Sequence, residues 1–90
     1  MLVKIHEAYR RIVAVCDAEL IGRTFEHGSM RLEVNEEFYK GENKTEKEVS
    51  EIIRIEASED AIFNLVGRKA VQAGLKIGII SKEGVIEIQG

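Results

Sequence analysis

The sequence has no proline and only one cysteine, Cys16, in 90 residues. Because proline is absent, slow prolyl isomerisation cannot limit folding. The single thiol excludes an internal disulfide and any zinc site built from several thiolates. We therefore expect a fold held together by packing and charge pairs, with no metal site.

Long hydrophobic runs are also missing. Charged residues begin at Lys4 and continue with Glu7, Arg10 and Arg11, so the first residues do not resemble a signal peptide. No segment approaches the roughly 20 apolar residues that span a bilayer. We expect a cytoplasmic protein that does not enter a membrane.

The sequence lacks an excess of positive charge, because 13 basic residues face 16 acidic ones and the net charge is −3. Proteins that bind nucleic acid usually present a basic surface, since neutralisation of phosphates supplies most of their affinity. A basic patch here can be only local. The shares of charged residues, 32%, and hydrophobic residues, 44%, predict one soluble globular domain spanning residues 1–90.

Apolar runs predict the strands. Residues 2–6 and 11–16 are expected to form an antiparallel hairpin, and the second run is apolar on both faces, which is typical of a central strand. Alternation of apolar and charged residues predicts a third strand over residues 30–34. A last strand is predicted over residues 85–88.

Capping signals predict the helices. Asp17 can cap a short helix over residues 18–21, which Gly22 ends, and Asn35 can cap a turn over residues 36–40. The capping box Thr45-x-x-Glu48 predicts a helix over residues 46–57. The alternative is a strand at residues 52–55, where β-branched residues cluster.

Ser58, followed by Glu59 and Asp60, predicts the start of a further helix that ends at Gly74. The predicted order is then strand, strand, helix, strand, helix, helix, strand. This order predicts an α+β domain with a mainly antiparallel or mixed sheet of about four strands and two to three helices on one face.

Catalytic chemistry has few candidates. Cys16 follows a strand and precedes a predicted helix, a position where a thiol can become a nucleophile, but the adjacent Asp17 opposes ionisation. The possible bases are His6 and His27. The hairpin would place His6 opposite Arg11 and therefore roughly 17 Å from Cys16, whereas His27 lies in a loop. We expect Cys16 to be a packed strand-end residue, although a dyad with His27 remains open.

No glycine-rich phosphate loop is present, so neither nucleotide binding by a known loop nor another cofactor is expected. Acidic pairs at residues 36–37 and 59–60 are interpreted as helix caps. Asn64 and Gly67 interrupt the last predicted helix, either for close packing or for contact with a partner. Phe38 is expected in the core. For Tyr39, a core position and a surface position are equally favoured.

Four segments, residues 16–25 (CDAELIGRTF), 32–34 (LEV), 38–42 (FYKGE) and 64–67 (NLVG), together resemble an archaeal family known as domain of unknown function 424. The resemblance covers nearly the whole chain. It implies an archaeal cytoplasmic protein that accompanies translation factors, and it supplies no catalytic residue or cofactor. Many members continue into a proline- and histidine-containing tail that this sequence does not contain.

The leading hypothesis is a non-enzymatic binding module that docks on a protein or ribonucleoprotein partner in translation or RNA metabolism. The alternative is a small enzyme that uses Cys16 or Asp17, with a site that is completed at a subunit interface. Direct RNA binding is a third hypothesis, and it needs Arg10, Arg11, Arg23 and Arg31 on one face with Tyr39. The candidate binding surface consists of Cys16, Asp17, Glu19, Gly22, Phe38, Tyr39, Gly41, Asn64 and Gly67.

Overall fold

A computed structural model describes residues 1–80 of the chain. The strands are short, and the two longer helices lie in the second half of the described region with one strand between them. The elements in chain order are β1 (Leu2–His6), β2 (Ile12–Cys16), a 3-10 turn (Ala18–Leu20), β3 (Thr24–His27), β4 (Met30–Glu33), α1 (Glu36–Tyr39), β5 (Glu42–Asn43), α2 (Glu46–Ser58), β6 (Ile62–Val66) and α3 (Arg68–Ile77).

The main sheet has the strand order β5-β1-β2-β6. Strand β1 is antiparallel to both of its neighbours, whereas β2 and β6 run parallel over five residue pairs. The predicted hairpin of β1 and β2 is confirmed, and so is the central position of β2. The sheet is mixed because β6 approaches β2 after the crossover through α2.

Side chains of β2 enter two cores, because successive residues of a strand point to opposite faces. Val13 and Val15 pack on one face with residues of α2 and α3, including Ile53. Ala14 and Cys16 pack on the other face with residues of α1 and the β3-β4 hairpin. The α+β prediction is confirmed: α2 and α3 cover one face of the mixed sheet, and the single turn of α1 lies on the opposite face.

Helix α2 begins at the predicted capping box. The backbone N–H of Glu48 donates to Oγ1 of Thr45 over 3.2 Å, and the Thr45 N–H donates to Oε1 of Glu48 over 2.9 Å. The helix continues to Ser58, so the alternative strand at residues 52–55 is wrong. Val49 and Ile53 are fully buried, and burial of this stripe outweighs the β propensity of its isoleucines.

The predicted helix over residues 58–74 is wrong. Ser58 ends α2, residues 62–66 form β6, and α3 begins only at Arg68. The apolar residues of this segment fit a helical stripe as well as a strand. The parallel edge of β2 decides in favour of the strand, since the backbone groups of a buried central strand need hydrogen-bond partners on both sides.

Two further predictions are corrected. His27, expected in a loop, ends the strand β3, which pairs with β4, and the strand predicted at β4 is confirmed. The short helix after Asp17 is a 3-10 turn over Ala18–Leu20, and the Asp17 side chain does not cap it. The strand predicted at residues 85–88 lies outside the described residues. Among residues 1–80, no helix is long and apolar enough to cross a membrane.

Candidate functional site

Asp17 caps a helix that is remote in sequence. Its Oδ2 accepts a hydrogen bond from the backbone N–H of Lys69 over 3.0 Å, and its Oδ1 accepts one from Ala70 over 2.9 Å. Both donors lie in the first turn of α3, where N–H groups have no partner within the helix. The carboxylate therefore occupies the positive end of α3 and leaves less room there for an external anion.

Gly67 makes this capping arrangement possible. Its φ of 106° lies in a region that side chains rarely adopt, and a Cβ placed on it would lie 2.4 Å from Cγ of Asp17. Glycine is therefore required at this position by both the backbone conformation and the close approach of Asp17. The predicted interruption of regular structure at Gly67 thus has an internal cause.

Cys16 is fully buried, and its Sγ donates a hydrogen bond to the backbone carbonyl of Asp17 over 3.1 Å. Desolvation, followed by the negative charges of Asp17 and Glu19, raises the pKa of the thiol to about 11. A nucleophilic cysteine needs the opposite shift. His27 is exposed at the end of β3. The thiol donates its hydrogen bond to the backbone carbonyl of Asp17 and not to an imidazole.

His6 lies opposite Ile12, one residue from the predicted Arg11, and at the far end of the hairpin from Cys16. Its Nε2–H donates to the backbone carbonyl of Phe38 over 2.8 Å. The imidazole also stacks on the Phe38 ring, with a centroid distance of 4.4 Å. His6 therefore holds α1 against β1.

The predicted residues of α1 and the following bend are also engaged in packing. Tyr39 is buried in the second core with Cys16, and burial raises the pKa of its hydroxyl. A Cβ on Gly41 would clash with the backbone of Val3 and Lys4, so this glycine permits close approach of the chain to β1. Phe38 is half-buried between His6 and Tyr39.

The predicted surface is divided between interior and exterior. Cys16, Asp17 and Tyr39 are buried, and Gly67 packs on Asp17, so these segments meet inside the molecule. The other predicted residues retain exposed surface. Glu19, Gly22 and Gly41 are exposed, and Phe38 and Asn64 are half-buried.

The arrangement required for direct RNA binding is not present among the described residues. Tyr39 is buried and cannot stack on a base. Arg10 and Arg11 are paired with carboxylates at one end of the main sheet, and Arg31 is paired with Glu33 in the β3-β4 hairpin. Within residues 1–80 no three His, Cys, Asp or Glu side chains lie close enough to hold a metal ion.

A different feature lies at the turn between β1 and β2, where a surface depression of about 500 Å³ opens beside the end of α2. We call it the hairpin depression. Its two apolar members are unusually exposed: Tyr9 is 105% exposed and Ile55 is 56% exposed. The residues that line it are Tyr9, Arg10, Arg11, Ile55, Glu56, Glu59 and Asp60.

Glu56 is the buried charge of the hairpin depression. Its side chain is 9% exposed, and its Oε2 pairs with Nη1 of Arg11 over 3.2 Å. Its Oε1 is buried and has no hydrogen-bond partner in the described part of the chain. A buried carboxylate oxygen without a donor is costly, and native proteins rarely contain one without a functional or solvent partner.

The end of α2 shapes the rim of the hairpin depression. The N–H of Ala61 donates to the carbonyl of Glu56, and the N–H of Asp60 donates to that of Ala57, both over 3.1 Å, as in a Schellman motif. Asp60 has a φ of 61° at the position that glycine usually fills. The acidic pair at residues 59–60 therefore ends α2, whereas the sequence predicted that it begins a helix.

The sequence does not predict the hairpin depression. Tyr9 falls between the two predicted strands of the hairpin, but a lone aromatic residue in a turn has no specific meaning. Ile55 carries a clearer signal, because its helical position lies off the apolar stripe of Val49, Ile52 and Ile53. An isoleucine on the polar side of an amphipathic helix predicts surface contact.

The chain belongs to the family described as "Protein of unknown function (DUF424)", whose model matches residues 6–90. A comparison with curated proteins finds no match. The fold is similar to that of a solved protein described as an uncharacterized conserved protein from Methanopyrus kandleri. That similarity has a TM-score of 0.77 at 23% identity and covers 96% of this chain and 80% of the other.

Proposed function

We propose that this protein is a non-enzymatic binding module that docks on a protein or ribonucleoprotein partner. One observation carries the proposal: Tyr9 is fully exposed beside the exposed Ile55 in a depression rimmed by charges. Single apolar residues on a surface need no explanation. An aromatic and an aliphatic side chain that share one concave, charge-rimmed surface resemble the centre of a protein interface.

The energetics favour a partner at this surface. Burial of an exposed tyrosine or isoleucine side chain contributes roughly 1.5–3 kcal/mol each. Tyr9 contributes no such free energy to folding, because its side chain is fully exposed in the monomer. The apolar surface of Tyr9 and Ile55 is thus available for association.

The enzymatic alternative, based on Cys16 or Asp17, has less support. The thiol is buried with a raised pKa, and both carboxylate oxygens of Asp17 accept backbone hydrogen bonds. An activated nucleophile is usually accessible, with a lowered pKa or an adjacent base. Neither residue meets these requirements, and a site completed by another subunit would still have to reach the buried thiol.

The cellular setting is part of the same proposal. We place the protein in the cytoplasm of an archaeon, in translation or RNA metabolism. The origin of the structural neighbour in Methanopyrus kandleri supports the archaeal assignment. The acidic net charge of −3 favours a protein surface of the partner over bare nucleic acid.

The test is an affinity pull-down of the tagged chain from its host, with and without nuclease. The wild type is compared with a Tyr9→Ala/Ile55→Ser variant. Met30→Ala is the matched control, because Met30 is also an exposed apolar residue but lies on the β3-β4 hairpin. We expect the wild type and the control to retain the same partner and the double variant to lose it.

The outcomes separate the hypotheses. Retention of the partner by the double variant would show that the hairpin depression is not the docking surface. Loss of the partner after nuclease treatment would identify RNA as the bridge within a ribonucleoprotein. Failure to capture any specific protein in either condition would count against the binding module as a whole.

A further inference from the structure

We infer that the hairpin depression receives an arginine side chain of a partner protein. This inference rests on the proposed function, since it names the chemistry by which the binding module would recognise its partner. Three features of the depression support it: an unpartnered carboxylate oxygen, an excess of negative charge, and an exposed aromatic ring.

The carboxylate of Glu56 needs a hydrogen-bond donor. Its Oε2 is paired with Arg11, while its Oε1 is buried and unpartnered within the described residues. A guanidinium presents five N–H donors in a planar fork, and it can donate to this oxygen once the Glu56 side chain turns toward the depression that it lines. A hydrogen bond between charged groups is about twice as strong as one between neutral groups, so satisfying Oε1 rewards a cationic ligand.

The charge of the hairpin depression favours a cation. Two arginines and three carboxylates line it, which leaves one negative charge in excess. Both arginines are already paired, Arg10 with Asp60 and Arg11 with Glu56. Glu7, which also contacts Arg11 over 3.4 Å, adds a further negative charge at the edge.

Glu59 is the lining carboxylate for which the structure shows no ion pair within residues 1–80. It is exposed at the end of α2, so it can approach a cation that enters from solvent. An anionic ligand such as an RNA phosphate would meet three carboxylates and two arginines that are already paired, and this net negative lining disfavours it. The electrostatics therefore point to a protein partner with a basic residue.

The aromatic ring explains why we choose arginine over lysine. Tyr9 has both faces open to solvent, and a guanidinium can stack on an aromatic face while its N–H groups donate in its own plane. The ammonium of lysine is a compact, strongly hydrated charge without this planar geometry. Ile55 supplies an apolar contact for the methylene groups of the incoming side chain.

The experiment is a titration of the isotope-labelled full chain, monitored by the NMR shifts of its backbone amides. The probe is N-acetyl-arginine amide, and N-acetyl-citrulline amide is its neutral isostere. We expect saturable shifts at Tyr9, Ile55 and Glu56 with the arginine compound, with a dissociation constant on the order of millimolar for so small a ligand. The citrulline compound should bind at least about fivefold more weakly, because it lacks the charge.

Two variants test the assignment to these side chains. Tyr9→Ala removes a fully exposed ring, so it should not affect folding, and it should weaken arginine binding about two- to fivefold. Glu56→Gln keeps the shape of the side chain and should weaken binding about tenfold. Met30→Ala, on the β3-β4 hairpin, should leave the affinity unchanged.

Each contrary result has a defined meaning. Equal binding of the citrulline compound, or arginine shifts that map away from the hairpin depression, would overturn the inference. Equal binding of N-acetyl-lysine amide would overturn the choice of arginine. If the Tyr9→Ala/Ile55→Ser variant loses its partner but the arginine compound does not bind, this inference fails while the proposed function stands. If the arginine compound binds but no partner is captured, the proposed function fails while arginine recognition by the depression stands.

Discussion

A hydrogen bond joins the backbone N–H of Ala70 to Oδ1 of Asp17 over 2.9 Å, across 53 positions of sequence. Both residues are buried. The N-cap position of α3 is occupied by Gly67, which has no side chain to satisfy the first turn of the helix. Asp17 takes that role from the end of β2 and thereby ties the central strand to the last described helix.

Removal of this cap should destabilise the fold. In Asp17→Ala the N–H groups of Lys69 and Ala70 lose their acceptors, and we expect a loss of about 2–4 kcal/mol in the free energy of unfolding. Urea denaturation measures the loss. Glu19→Ala, an exposed acidic neighbour, should change stability by less than about 0.5 kcal/mol. Similar values for both variants would contradict a capping role for Asp17.

Gly67→Ala should also be costly. The new Cβ would need a φ near 106° and would lie 2.4 Å from Cγ of Asp17, so we expect about 2–4 kcal/mol of destabilisation. Gly22→Ala is the matched control, because Gly22 has a φ of 80° but no atom within 4 Å of an added Cβ. The Gly22→Ala variant should lose only about 1 kcal/mol in the free energy of unfolding. Equal losses would show that the clash with Asp17 is relieved at no cost.

Cys16 should react slowly with alkylating agents in the folded protein. The thiol is fully buried, and its raised pKa leaves little thiolate at neutral pH. Labelling with iodoacetamide, followed by mass spectrometry, should proceed only through unfolding, and the Asp17→Ala variant should accelerate it. Rapid labelling of the native wild type would instead support a reactive thiol and the enzymatic alternative.

Stability should fall at alkaline pH. Folding raises the pKa of Cys16 from 9.0 to about 11, so in this range the folded state keeps a proton that the unfolded state releases. The contribution of the thiol is present below its ordinary pKa and is lost as the pH rises through that window. Burial raises the pKa of Tyr39 as well and acts in the same direction.

Thermal melts of the wild type and Cys16→Ala, recorded from about pH 8 to about pH 11, measure this effect. The variant should lose less stability over the range, because one of the two buried acids has been removed. Identical pH profiles would show that the thiol does not titrate differently in the two states.

Asp60 should be replaceable by glycine without loss of stability. Its φ of 61° is unfavourable for a side chain, and relief of this strain is worth about 1 kcal/mol. The exposed ion pair with Arg10 contributes about 0–1 kcal/mol in the opposite direction. We expect Asp60→Gly to be as stable as the wild type or slightly more so in urea denaturation. Asp60→Asn, which tolerates the same backbone conformation, separates the charge from the strain.

The parts of the fold that could be predicted are those with local causes. The β1-β2 hairpin follows from two apolar runs around a polar turn, and the start of α2 follows from the reciprocal hydrogen bonds of Thr45 and Glu48. The α+β class follows from the number and kind of such segments. These features depend on residues that are close in sequence, and they are confirmed.

The candidate site could be predicted only in part. The sequence predicted Asp17 and Gly67 as members of one candidate binding surface, and the structure shows that they contact each other inside the molecule. Their proximity is not encoded by spacing, since it follows from the parallel pairing of β2 and β6, which places Cys16 beside Val66. A polar residue or a glycine that local structure does not require can therefore serve long-range capping as well as binding.

By itself, the sequence determined the hairpin turn between β1 and β2, the capping box, the buried character of β2 and the absence of an internal disulfide. Only the tertiary structure decided that residues 62–66 form a strand, that Asp17 serves α3, and that Tyr9, Ile55 and Glu56 line one depression. The physical reason is that apolar residues such as Leu65 and Val66 satisfy either a helix or a strand locally. The free energy that separates the two comes from backbone hydrogen bonds and burial against β2, which is about 50 residues away in the chain.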